Sequence, residues 1–182
     1  MYLKESSKTL KNGKELMIRS AQKEDAPLLV TYLKEAMVET SYLLREPDEI
    51  TITVEQEESF LENQQKNEKE LMLVGFVEGE HVGNCSFSSI SGVSRHRHRC
   101  DIAIALYQKY CGLGIGKILL STLLEKAKEC GYEQAELEVV STNEPAVHLY
   151  ESLGFETYGT RPHGMKYKDG TYADMYLMMK KL

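Results

Sequence analysis

The run Cys111-Gly112-Leu113-Gly114-Ile115-Gly116-Lys117 limits what this chain can fold into more than any other stretch. Its three glycines alternate directly before a segment of helical period. From Gly114 to Cys130, Ile115, Leu119, Leu123 and Ala127 form one apolar stripe, with Leu120 and Leu124 beside it. Gly131 is placed to end that helix. Upstream, Arg97 to Leu106 reads as a strand. A strand, a glycine turn and a helix in this order gather backbone N–H groups at a helix N-terminus, where the peptide dipoles favour an anion. This is a way to hold a pyrophosphate; the plain alternative is a tight strand-to-helix turn. Two familiar phosphate loops do not fit. A Walker A loop needs glycine at Cys111 and Ser or Thr at Ile118, and a dinucleotide fingerprint needs glycine at Lys117.

The 182 residues suit one domain, 1–182, with a sizeable core. Residues 1–13 are polar and read as a flexible N-terminal extension. Lys14 to Ala21 reads as a first strand. Glu24 to Glu39 reads as a helix, with Leu28, Leu29, Tyr32, Leu33, Ala36 and Met37 on one stripe. Ser41 to Thr53, with Pro47, reads as a loop, and Val54 to Asn67 as a helix with Phe60 and Leu61 facing inward. Leu71 to Val77 and His81 to Ile90 form a hairpin across Glu78-Gly79-Glu80. Gln134 to Val140 is a fifth strand and Pro145 to Leu153 a short helix; Phe155 to Arg161 and Tyr172 to Met179 close the chain as a hairpin. This order implies an α/β (α+β) fold, a mixed sheet flanked by helices.

The segment from Asn143 to Phe155 carries Asn143, Ala146, Leu149, Tyr150, Gly154 and Phe155 in the pattern Asn-x-x-Ala-x-x-Leu-Tyr-x-x-x-Gly-Phe. With Gly114 and Gly116 ahead of it, the chain resembles the GNAT superfamily of N-acetyltransferases over about a third of its length. The resemblance implies a mostly antiparallel central sheet, splayed between the fourth and fifth strands, with acetyl-CoA as co-substrate and no metal. It places the pantetheine arm against the backbone of Ile104, Ala105 and Leu106. It places the pyrophosphate on Gly112, Leu113, Gly114, Ile115, Gly116 and Lys117. Asn143 would hydrogen-bond the cofactor, a role compatible with a helix N-cap. The family's polar Gln or Arg position falls on Cys111, which reads as a small apolar filler.

Amide formation needs a base for the amine and an acid for the departing thiolate. Tyr150 matches the family's thiolate-protonating tyrosine; beside Leu149 and Leu153 it also suits a core. Glu138 lies five residues before Asn143, the family spacing of a strand glutamate that acts as base. It shares a strand face with Glu136, so a solvent-facing pair is the other reading. Asp101 is the second candidate base, and an ordered water the third.

A net charge of -6 argues against nucleic acid and favours a cationic acceptor, a small-molecule or peptide amine. The N-terminal residues lack the apolar core of a secretory signal, and no apolar run approaches the ~20 residues of a membrane span. Cys85, Cys100, Cys111 and Cys130 are widely spaced, which suits reduced thiols in a cytoplasmic protein. In Arg95-His96-Arg97-His98-Arg99 the two histidines share a strand face with no further ligand nearby, so a basic loop, solvated or meeting coenzyme A phosphate, is the reading. The family's variable acceptor loops fall on 41–53 and 161–171, and family members often pair into homodimers through strand edges. The expected activity is direct acetyl transfer to a primary amine. Transfer of a longer acyl group, an oxygen acceptor, or a catalytically silent acyl-CoA-binding domain are the alternatives.

Overall fold

The computed structural model describes residues 2–182. In chain order these form β1 (Ser6–Thr9), β2 (Glu15–Ser20), α1 (Ala26–Glu39), α2 (Val54–Lys66), β3 (Leu71–Val77) and β4 (Glu80–Ser89). There follow β5 (Arg99–Leu106), α3 (Ile115–Glu129), β6 (Gln134–Val140), α4 (Glu144–Ser152), β7 (Glu156–Lys166) and β8 (Tyr172–Lys181). The strands make one eight-stranded sheet in the order β1-β2-β3-β4-β5-β6-β8-β7. The fold is therefore the mixed, mostly antiparallel α/β sheet the sequence led us to expect, with β5 and β6 as the expected fourth and fifth strands.

The count shifts because of β1, where the sequence suggested only a flexible extension. Its residues, Ser6 to Thr9, offer no apolar alternation to read. The ladder alone explains the strand. The chain reverses across Leu10–Lys14, where the Leu10 N–H donates to the Lys14 carbonyl at 2.8 Å, and Ser6 to Thr9 pair with Ile18 to Glu15.

Period-two alternation in β3 sorts the two layers. Leu71, Leu73 and Val77 face the cluster that contains α3, whose Ile115, Leu119, Leu120, Leu123 and Ala127 are fully buried. Val74, flanked by Met72 and Phe76, faces the cluster of α1 and α2, with Ala26, Leu29 and Leu61. A fully buried leucine such as Leu119 contributes ~1.5–3 kcal/mol by leaving water. The α2 face differs from the expected one. Glu57, Leu61 and Gln64 point inward at i, i+4 and i+7, which leaves Phe60 on the flank at 45% exposure. Leu28 on α1 is likewise turned out, while Val30 is buried.

Glu78 and Gly79 both take positive φ in the β3–β4 turn, the geometry of a tight two-residue hairpin. At the far edge, β7 loses register with β8 twice, between Thr157 and Gly159 and between Arg161 and Met165.

Candidate active site

The sheet opens where β5 meets β6. These strands run parallel and pair only at Arg99, Cys100 and Asp101 with Gln134, Ala135 and Glu136. Beyond Asp101 both continue, to Leu106 and Val140, without a partner on that side. The Tyr107 N–H donates to the Val82 carbonyl of β4. By the alternation of an antiparallel ladder, Ala105 spends its backbone groups on the same side. Ile104 and Leu106 turn theirs toward the opening, so of the three residues expected to offer backbone there, Ala105 is directed away.

One mouth of the opening is the glycine turn. Gly114 caps α3 in the left-handed region, φ +83°, which a β-branched residue resists, and a Cβ placed on it would meet only open space. The amides of Ile115, Gly116 and Lys117 follow in the first helical turn, where no intrahelical carbonyl exists for them. The ladder starts with the Ile118 N–H on the Gly114 carbonyl. Gly116 serves a different end. A Cβ there would come within 3.1 Å of Leu149, so its smallness lets α3 approach α4. Gly112, Leu113 and Lys117 are exposed beside this cluster. The free amides, the left-handed cap and the absence of side-chain bulk fit a pyrophosphate.

Cys111 is exposed, with its Sγ 3.7 Å from the Tyr107 carbonyl, so the expectation of an apolar filler fails. Local loss of water and the Glu39 carboxylate raise its thiol pKa, which does not favour a thiolate nucleophile. The basic run also lies elsewhere. Arg95 to His98 precede β5, whereas the glycine turn follows it, so the strand's length of ~25 Å separates them. That excludes a meeting of this run with a pyrophosphate on the turn.

Asn143 is the N-cap of α4, accepting the Ala146 N–H on Oδ1 at 3.4 Å. Tyr150, one turn before the helix ends, is 8% exposed and packs edge-on against Phe155. Its hydroxyl makes no hydrogen bond with the described residues. Burial pushes its pKa up to about 12, and the Asp101 charge adds to the rise. The two groups therefore feel each other across the parting strands.

Asp101 sits at the last rung before β5 and β6 separate, opposite Glu136. With Glu136, Glu138 and Tyr158 it lines an open cavity of about 370 Å³. The residue is exposed, yet its carboxyl loses part of its water to the protein around it. That loss first, then the charges of Glu138 and Glu136, raise its pKa to about 6. Glu138 is differently placed from the free base we anticipated. Arg161 on β7 grips it with two N–H donors, 2.5 and 2.7 Å, in an exposed pair. Arg99 grips Glu136 in the same way, at 2.5 and 2.7 Å, and holds that carboxyl below its usual range. Of the three carboxyl groups, Asp101 alone has no cationic partner.

Several contacts had no signal in the sequence. The Tyr107 hydroxyl donates to Glu35 at 2.6 Å and the Gln108 N–H to Glu39 at 2.7 Å, tying α1 to the approach of the glycine turn. The Tyr42 hydroxyl, in the loop before α2, donates to the Thr142 carbonyl at 3.3 Å, next to Asn143.

The model of the acetyltransferase (GNAT) family matches residues 33–155. The chain belongs to this family. An acetyltransferase of the GNAT family from Streptococcus pneumoniae superposes with a TM-score of 0.88 at 32% identity, over 92% of this chain and 99% of that one. A putative acetyltransferase from Salmonella typhimurium, solved with its cofactor acetyl-CoA, shares the fold at a TM-score of 0.81 and 24% identity, over 92% and 94% of the two chains. Among curated relatives, the L-amino acid N-acyltransferase MnaT of Escherichia coli is 30% identical over 112 residues. That match spans 61% of this chain and 64% of the relative. No helix among the described residues of this GNAT chain is long and apolar enough to cross a membrane.

Proposed function

We propose that this chain transfers an acetyl group from acetyl-CoA to a primary amine by direct attack. The observation that carries the reading is the pair of groups at the mouth of the splay. Asp101, with a pKa of about 6, lines the open cavity, and the hydroxyl of the buried Tyr150, without a hydrogen-bond partner among the described residues, lies close enough to feel its charge. Acetyl-CoA supplies a thioester carbonyl. The Ile104 and Leu106 backbone holds the pantetheine arm by strand-like hydrogen bonds. The amides of the first turn of α3 hold the pyrophosphate, and exposed Lys117 stands beside them.

Asp101, ionised above pH 6, draws in an ammonium group and accepts its proton, directly or through water. The amine nitrogen then bonds to the carbonyl carbon as the carbon–sulfur bond breaks, and it gives up its second proton to water to become the neutral amide. Tyr150 gives its proton to the departing sulfur and recovers one from solvent. Glu138, held by Arg161, contributes negative potential to the cavity and is the less suited acceptor of a proton.

Release of free thiol from acetyl-CoA in the presence of pooled amines tests the reading. Wild type should release thiol only when an amine is present. Tyr150→Phe keeps the ring and should lower kcat roughly ten- to a thousandfold with little change in acetyl-CoA affinity. Acetyl-CoA binding without thiol release, over the whole pool, would make the chain a silent acyl-CoA-binding domain. Near-native turnover by Tyr150→Phe would leave that tyrosine as packing.

A further inference from the structure

We infer that the acceptor is a primary amine with no carboxylate beside it, as at the N-terminus of a peptide, and not a free amino acid. This rests on the transferase reading above and concerns the selectivity of the same site.

The argument is one of charge at short range. The cavity that meets the splay is lined by three carboxyl groups, Asp101, Glu136 and Glu138, and by the uncharged Ser88, Ser89, Ile90, Leu137 and Tyr158. No lysine, arginine or histidine is among these lining residues. Two arginines are paired with these glutamates, each through two of its nitrogens. Arg99 gives Nε and Nη2 to Glu136, and Arg161 gives Nη1 and Nη2 to Glu138. Gln134 adds a further donor to Glu136 at 2.7 Å. Those pairs neutralise two of the three acids, which leaves Asp101 as one uncompensated charge. Tyr150 is a buried residue whose hydroxyl makes no hydrogen bond with the described residues and feels that charge, and it marks where the reacting end sits.

Such a cavity accepts one cation. A free amino acid would carry its own carboxylate on the atom next to the amine, within a few ångströms of Asp101. No cation lines the cavity to receive it, and the hydroxyls of Ser88, Ser89 and Tyr158 offer only neutral donors. An amide at that position removes the repulsion and leaves the ammonium unchanged. The cavity's open side places no limit on the length of chain beyond the amide, so the α-amine of a peptide fits as well as a small amine.

The test compares common L-amino acids, each beside its amide and beside the amine left by loss of its carboxylate. The two carboxylate-free members bracket the amino acid in basicity, since a peptide α-amine titrates near ~7.7–8.0 and an alkylamine near ~10.4. A shared preference for both therefore cannot arise from the fraction of neutral amine. For the side chains the enzyme uses, kcat/KM for both carboxylate-free members should exceed that of the free acid at least about tenfold, because like charges are opposed at short range in a partly dry site. Glu138→Gln releases Arg161 to meet an incoming carboxylate. It should narrow the preference about two- to fivefold, the modest effect of an exposed arginine.

Free acids used as well as or better than their amides would overturn the inference and leave the transferase reading standing. A preference that Glu138→Gln leaves unchanged would likewise overturn the charge argument. Acetyl-CoA binding without turnover of any member would overturn the transferase reading, and this inference with it.

Discussion

The two sides of the splay between β5 and β6 are built from different materials. The side on which we place the cofactor is backbone: first-turn amides of α3, a left-handed Gly114, and the unpaired edge of β5 at Ile104 and Leu106. The side on which we place the acceptor is side chains: Asp101 from β5, Glu136 and Glu138 from β6, with Arg99 and Arg161 paired to the two glutamates. A backbone site needs a local conformation, so it leaves glycines and a cap within a few residues. A side-chain site needs only that strands bring charges together. Its pairs here are separated by 37 residues for Arg99–Glu136 and 23 for Arg161–Glu138. The first kind of site tolerates many sequences of one shape; the second sets selectivity.

Substitution can break this contrast on either side, and the largest effect belongs to the backbone. Gly114→Val places a branched residue at φ +83°. A folded mutant should lose acetyl-CoA affinity by roughly a hundredfold or more, because the first-turn amides no longer converge. Calorimetry measures it, and native affinity would show that side-chain-free geometry at this residue is dispensable.

Asp101→Asn probes the acceptor side and should act on rate more than on cofactor affinity. We expect kcat/KM to fall roughly a hundredfold. The rising limb of the pH–rate profile near pH 6 should vanish, while the limb set by the acceptor amine stays. Its stability effect has the opposite sign. The folded chain raises this carboxyl to about 6 from an unfolded value near ~3.9, so it binds the proton more tightly when folded. Stability is therefore lost as pH rises from about 4 through about 6, and stays lost above. An asparagine removes that cost, so the variant should melt at an equal or higher temperature at pH 8, with the gap closing toward pH 4. A profile superimposable on wild type would return the role of base to Glu138 or a water.

The smallest effect sharpens the border between the two sides. Asn143 caps α4 and faces the region where the cofactor reading also needs it. Asn143→Ala should cost about 1 kcal/mol of stability, and Asn143→Ser, which keeps a capping oxygen, should restore it. We expect acetyl-CoA affinity to stay reduced a few-fold in the serine variant, for want of the amide. Full recovery of affinity with serine would make Asn143 a cap and nothing more.

The same contrast explains what could be read in advance. The stripe Ile115, Leu119, Leu123 and Ala127 was legible because a long amphipathic helix repeats its signal, and all four residues are fully buried. The hairpin at Glu78-Gly79 was legible because its positive φ favours glycine at Gly79. Phe60 misled because α2 has few apolar residues, so one bulky ring outweighed the face that Leu61 shares with Glu57 and Gln64. Glu138 and Asp101 were both visible as candidates. What separates them is invisible in one dimension: Arg161 arrives from a different strand, and the partial loss of water at Asp101 exists only once the fold surrounds it.

The edges of the sheet carry a lesson about crowding. A long flat strand with a bare row of amides is a template on which copies of a protein stack. Among the described residues, neither outer border of the sheet presents one. One border is β1, four polar residues with Lys8 among them, too short to seed a ladder. The other is β7, which slips register twice and carries Pro162, a residue with no amide to lend. Backbone-to-backbone stacking is thereby discouraged at both borders, and contact between copies is left to side-chain surfaces, which are easier to keep weak, reversible and specific at high concentration.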